Sequence, residues 1–156
     1  MTPENGFKII KEQLYTQCSA YVNQCLVNIQ TAIDASNESG NNETKSSAGD
    51  KHETGRAMIQ IEQEQYAKQR VKALEVKKMF DKINPLQNSK NVALGSLVIT
   101  NKGDFYISIS AGKITIENKN YYAISQASPF GLKLFGAKKN QQINFNNQVY
   151  RILDVV

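Results

Sequence analysis

The sequence predicts an α+β protein, in which two long antiparallel helices form a coiled-coil hairpin and a small antiparallel β-sheet domain with one short helix follows. Three observations carry this prediction. Apolar residues recur at helical spacing from about Glu4 to Ile83. Beyond Pro85 they recur with a period of two. A polar stretch from Ser36 to Asp50 divides the helical half in two.

In the first helical run, Leu14, Cys18, Tyr21, Cys25 and Ala32 follow an a/d seam with Asn28 as a polar interruption. A helix of about thirty residues spans roughly 45 Å and far exceeds the usual length of about 11 residues, so its seam requires a partner helix. SNESGNNETKSSAGD, residues 36–50, is almost free of hydrophobes and reads as the loop between the two. Helical spacing resumes with Ala57, Met58 and Ile61 and continues through Val71, Leu74, Met79, Phe80 and Ile83. The polar middle, residues 62–70, is expected to face solvent on most sides. Pro85 disfavours helical geometry for Asn84 and ends the run. The hairpin is therefore expected over residues 1–84, with its tip at about 37–55 and a linker over 85–91.

Residues 92–156 contain short β-branched and aromatic runs, VALGSLVIT, DFYISIS, KITIE and YYAIS, separated by turn-forming NKGD, AGK and ENKN. QQINF and VYRILDVV form a closing hairpin. Between them, Pro129 suits the first turn of a short helix and Gly136 its end.

Charge is divided unevenly. Residues 1–83 carry 11 basic and 11 acidic side chains, whereas residues 84–156 carry 8 and 3, so the net charge of +5 lies in the second half. A basic surface of this kind suits an acidic partner. Cys18 and Cys25, about 10 Å apart along one helix, are too distant to bond to each other and are expected to be small core hydrophobes. With no apolar run near the roughly 20 residues of a membrane span and no signal-like N-terminus, a cytoplasmic location without membrane contact is expected.

Asp50 and Glu53, three residues apart at the start of the second helix, fit two roles. They match a capping box, in which Asp50 accepts from a free helical N–H and Glu53 reaches back to the cap. They also form an acidic tip of the kind presented to a metal ion. His52 has no residue pattern that would complete a triad, Ser46, Ser47 and Ser125 lack a base, and the glycines form no phosphate loop. The aromatic residues of the second half are needed for a core. Lys133, Lys138 and Lys139 form a basic rim for an acidic protein surface.

GSLVIT, YYAISQASPFGLKLFGAKKNQQINF and VYRILDV are similar to the sheet-domain pattern of the Gre transcript-cleavage and elongation factors of bacterial RNA polymerase (GreA and GreB), with Ser128, Pro129, Gly131, Leu134, Gly136 and Lys138 on motif positions. Gly49, Asp50 and Glu53 match that family's Gly-Asp-x-x-Glu. The resemblance implies an FKBP-like second domain and a hairpin inserted through the polymerase secondary channel. Asp50 and Glu53 would help hold a Mg²⁺ shared with the polymerase active site, none being bound alone, while water attacks backtracked RNA. RNA polymerase is then the expected partner, nascent RNA is reached only indirectly, and the protein assists the polymerase's own hydrolysis rather than acting as an independent enzyme. Ser128, Pro129, Phe130 and Gly131, with Lys133, Lys138 and Lys139, are the expected partner-binding residues.

After the acid pair this chain has Thr54, Gly55, Arg56 and Ala57 where the family has an Asn-Ala-Glu-Tyr-like stretch, and Lys45, Lys51 and His52 lie nearby. A second expectation is therefore a channel regulator that does not promote cleavage. A third is an FKBP-like peptide-binding module or prolyl isomerase. Weak self-association through the hairpin seam is a further expectation.

Overall fold

Two helices, α1 (Pro3–Lys45) and α2 (Gly49–Phe80), precede six strands and one short helix. The strands are β1 (Leu97–Thr100), β2 (Gly103–Ser108), β3 (Gly112–Ile116), β4 (Lys119–Ser125), β5 (Gln142–Phe145) and β6 (Gln148–Val155), with α3 (Pro129–Leu134) between β4 and β5. The computed structural model describes the backbone of residues 3–45 and 49–156, and the side chains of residues 5–40 and 54–156. Two compact units emerge, Met1–Tyr21 with Met79–Val156, and Val22–Lys78, a division that runs across both long helices.

In the first unit the six strands form one sheet in the order β3-β4-β2-β1-β6-β5. Two tight hairpins have type I′ character: Glu117 and Asn118 join β3 to β4 at φ 51° and 67°, and Asn146 and Asn147 join β5 to β6 at 49° and 60°. Positive φ at both central residues matches the strands' right-handed twist, and asparagine tolerates it well. The sheet is mostly antiparallel, as expected, with one parallel pair. β2 and β4 pair in parallel, from Asp104 opposite Tyr121 to Ser108 opposite Ser125. After β2 the chain reverses and places β3 one strand-width further out, so the hairpin return brings β4 into the gap.

Alternation along β2 sends Asp104, Tyr106 and Ser108 to one face and Phe105 and Ile107 to the other. The first face packs against the start of α1, where Leu14 and Cys18 are fully buried and the Cys18 Sγ lies 3.5 Å from the Ser108 Oγ. Tyr15 stacks on Phe80 at a ring separation of 4.8 Å. On the other face, Val98, Ile107 and Ile152 join Val92, Leu134 and Ala137 in a core closed by α3. Lys11 is buried, and its Nζ donates to the Gln87 carbonyl at 2.9 Å and to Asn88 Oδ1 at 3.4 Å, fastening residues 87 and 88 to α1. A buried ammonium needs such acceptors, because stripping its water without replacement is costly.

In the second unit α1 and α2 run antiparallel. Gln63 Nε2 donates to Asn37 Oδ1 at 2.8 Å, and the buried Ser36 hydroxyl donates to Glu62 Oε2 at 3.4 Å. Gly40 faces Ile59. The polar stretch expected to be a loop from Ser36 is therefore helical as far as Lys45. Pairing across the seam satisfies the Ser36 and Asn37 side chains and offsets their weak helix propensity. Of the expected seam residues, Cys25 and Ala32 are half-buried here, whereas Tyr21 is exposed and its neighbour Val22 is buried instead. On α2 the inward positions are Ile59, Gln63, Tyr66 and Ala73, whereas Met58, Ile61, Val71 and Leu74 are exposed. Each helix of a two-helix pair can cover only one narrow stripe of the other, so the remaining apolar side chains stay outside.

Candidate partner-binding surface

Ser128 has extended geometry at the N-cap of α3, with φ −67° and ψ 157°. Its Oγ accepts from the Gly131 amide at 3.1 Å and donates to the Ser125 carbonyl at 2.6 Å. Pro129 occupies the first turn, where its missing N–H costs nothing. Gly131 is buried and passes against the Ser125 carbonyl so closely that a Cβ would overlap the oxygen. Within segment 128–131 of the expected contact residues, three of four, Ser128, Pro129 and Gly131, thus serve first to build α3. The fourth, Phe130, sits among Phe105, Phe145 and Tyr150 at ring separations of 4.8, 5.0 and 4.7 Å. Lys102 lies 5.7 Å above the Tyr150 ring.

The helix presents other residues to solvent. Leu132 is 65% exposed and Phe135 56%, and Lys133 is exposed between them. Gly136, at φ 79°, turns the chain after Phe135. Gly136 N donates to the Val92 carbonyl at 2.8 Å, and a bridge joins Asn91 to Lys138. That bridge brings in a residue which sequence spacing did not reveal. Lys90 lines a cavity of about 360 Å³ with Lys138, Lys139, Asp154 and Val155. Lys138 and Lys139 of the expected rim thus share a cavity with Lys90, while Lys133 is exposed on α3.

Leu132 and Phe135 were the missed apolar residues. Their i, i+3 spacing, out of phase with the buried Gly131 and Leu134, was the available signal.

Asp50 and Glu53 fall near the start of α2, and their side chains lie outside the described residues, as do those of Lys45, Lys51 and His52. The capping-box geometry therefore lies outside them too. Among the described residues, no group of three or more His, Cys, Asp or Glu side chains could hold a metal ion. No described helix is long and apolar enough to cross a membrane. Cys18 and Cys25 are free, and burial pushes the Cys18 thiol pKa up, as expected of an unreactive core cysteine.

No protein-family model matches the chain, and no curated protein matches it. One similar solved structure is that of the transcription factor Gfh1, with 15% sequence identity over 87% of this chain and 91% of that chain and a TM-score of 0.35.

Proposed function

We propose that this chain is a Gre-like regulator of transcription elongation that binds RNA polymerase, with its helical hairpin entering the secondary channel. The observation that carries this reading is α3. A Ser-Pro-Phe-Gly sequence resembling the Gre motif builds a capped helix whose exposed face offers Leu132 and Phe135 beside Lys133. An apolar centre with a charged margin is the usual make-up of a protein interface. The hairpin of the second unit adds support, since the part of α1 from Val22 to Lys45 is about 36 Å of helix, a length suited to reaching down a channel.

Asp50 and Glu53 would supply oxygen ligands to a magnesium ion shared with the polymerase active site, where such an ion provides activated water for RNA hydrolysis. The chain would act as an auxiliary of the polymerase, in the cytoplasm, and would meet nascent RNA only through it. A second reading, occupation of the channel without cleavage, is favoured by Thr54, Gly55, Arg56 and Ala57 directly after the acid pair. The exposed Met58, Ile61 and Val71 give weak self-association a physical basis.

Stalled elongation complexes supplied with Mg²⁺ test both readings. Shortened RNA that disappears with Asp50→Ala and Glu53→Ala supports the first. Polymerase binding without shortening supports the second. Failure to bind polymerase overturns both.

A further inference from the structure

A groove of about 680 Å³ in the first unit lies between α1 and the β3–β4 hairpin. Ile9, Glu12, Gln13, Thr16 and Gln17 form its helical wall, at spacings that place them on one stripe of α1, and Thr115, Ile116 and Glu117 form the other. β3 is an edge strand, with β4 as its sole neighbour in the sheet. Ile116 and Lys119 flank the two-residue turn and form its closing hydrogen-bonded pair, and such pairs alternate along an antiparallel ladder. Ile114 therefore bonds to β4 as well. Lys113 and Thr115 turn their backbone N–H and C=O groups away from the sheet, and both side chains are exposed. An edge of this kind is a template for another strand.

We propose that this groove binds an extended peptide segment of a partner protein, which adds a strand to β3 and places basic side chains against Glu12 and Glu117. The dimensions agree. From Ile9 to Gln17 the wall runs about 12 Å, the length of three to four extended residues. The charge is equally specific. Although the chain as a whole carries +5, the groove is lined by two carboxylates and no basic side chain, and neither Glu12 nor Glu117 has an ion-pair partner among the described residues. Ile9, 44% exposed on the same helical wall as Glu12, provides an apolar seat for the aliphatic stems of the basic side chains that face it. Main-chain pairing along β3 would give affinity, and the acidic and apolar positions selectivity. This site is separate from α3, and its occupation does not depend on polymerase binding.

The test uses the full chain and a capped hexapeptide of alternating lysine and valine, with the glutamate-valine counterpart as control. Saturable binding of the lysine peptide, with slowed hydrogen exchange at the Lys113 and Thr115 amides, is expected. Glu12→Lys combined with Glu117→Lys should weaken binding about tenfold, and Thr115→Pro, which removes an outward N–H from an edge position, should abolish it. Exchange at those amides in the unaltered chain keeps the test decisive if the proline variant fails to fold. The proposal is overturned by no saturation below about 1 mM peptide. Equal affinity for the glutamate peptide, or binding without amide protection, overturns it as well. So does protection that is already present without peptide in a dimer, because a second copy of the chain would then occupy the edge.

Discussion

Gly131 runs directly beneath the Ser125 carbonyl, with no room between them for a side chain. This contact explains why a Ser-Pro-x-Gly segment is needed here: Ser128 bridges the Ser125 carbonyl and the Gly131 amide, and Gly131 allows the helix to start against the end of β4. Gly131→Ala should therefore destabilise the protein by about 2 kcal/mol or more, because the overlapping atom is backbone and cannot swing aside. Ser128→Ala, which removes the cap but not the close approach, should cost about 1 kcal/mol. Urea unfolding of both variants checks the order. A Gly131→Ala protein as stable as the parent would contradict the packing described.

The exposed face of α3 makes a separate prediction. Leu132→Ser with Phe135→Ser should change stability by no more than about 0.5 kcal/mol, because both side chains are largely solvated. The same pair should weaken binding to RNA polymerase at least tenfold, roughly the effect of removing one interface anchor. Binding measured with labelled polymerase decides it. Unchanged affinity would show that α3 is not the contact.

Legibility in the sequence followed the locality of the interactions. Turns held by their own residues could be read directly, as with Asn146–Asn147 and the Ser128–Pro129 start of α3, because backbone preference alone fixes them. Long-range choices were hidden. Whether Tyr21 or Val22 enters the seam depends on what packs against the helix, and the helical state of Ser36 and Asn37 depends on Glu62 and Gln63, 26 residues away. The parallel β2–β4 pair likewise follows from topology. At the candidate surface, the motif residues were visible as letters, yet the helix they build turns Leu132 and Phe135 outward instead.

The seam allows a direct test of that hidden helix. Gly40 lies within α1, and an added Cβ would sit 3.5 Å from Ile59 Cγ2, an ordinary van der Waals contact. Gly40→Ala should therefore stabilise the hairpin by about 1 kcal/mol through reduced chain entropy and better helix propensity. Circular dichroism during thermal unfolding would show it as increased helicity and a higher midpoint. In a loop the same change would add no helix, so an unaltered spectrum would count against the helical assignment.

Alkaline pH should separate two buried groups that act in opposite directions. Tyr106 is fully buried, and its hydroxyl has no hydrogen-bond partner among the described residues. Burial chiefly, with nearby Cys18 and Tyr15, raises its pKa above the ordinary 10.0. Above pH 10.0 the unfolded phenol ionises while the folded one keeps its proton, so stability falls as pH rises. Burial lowers the pKa of Lys11 from 10.5. Between its folded value and 10.5 the unfolded state holds more protons, and this group makes stability rise with pH. Tyr106→Phe should remove the unpaired hydroxyl, stabilise the protein by roughly 1 kcal/mol at neutral pH and flatten the decline above pH 10.0. Lys11→Met should abolish the rise, while leaving the Gln87 carbonyl without its donor. Urea unfolding of each variant across this range checks both signs. A Tyr106→Phe protein less stable than the parent at neutral pH would mean that the hydroxyl is satisfied in solution.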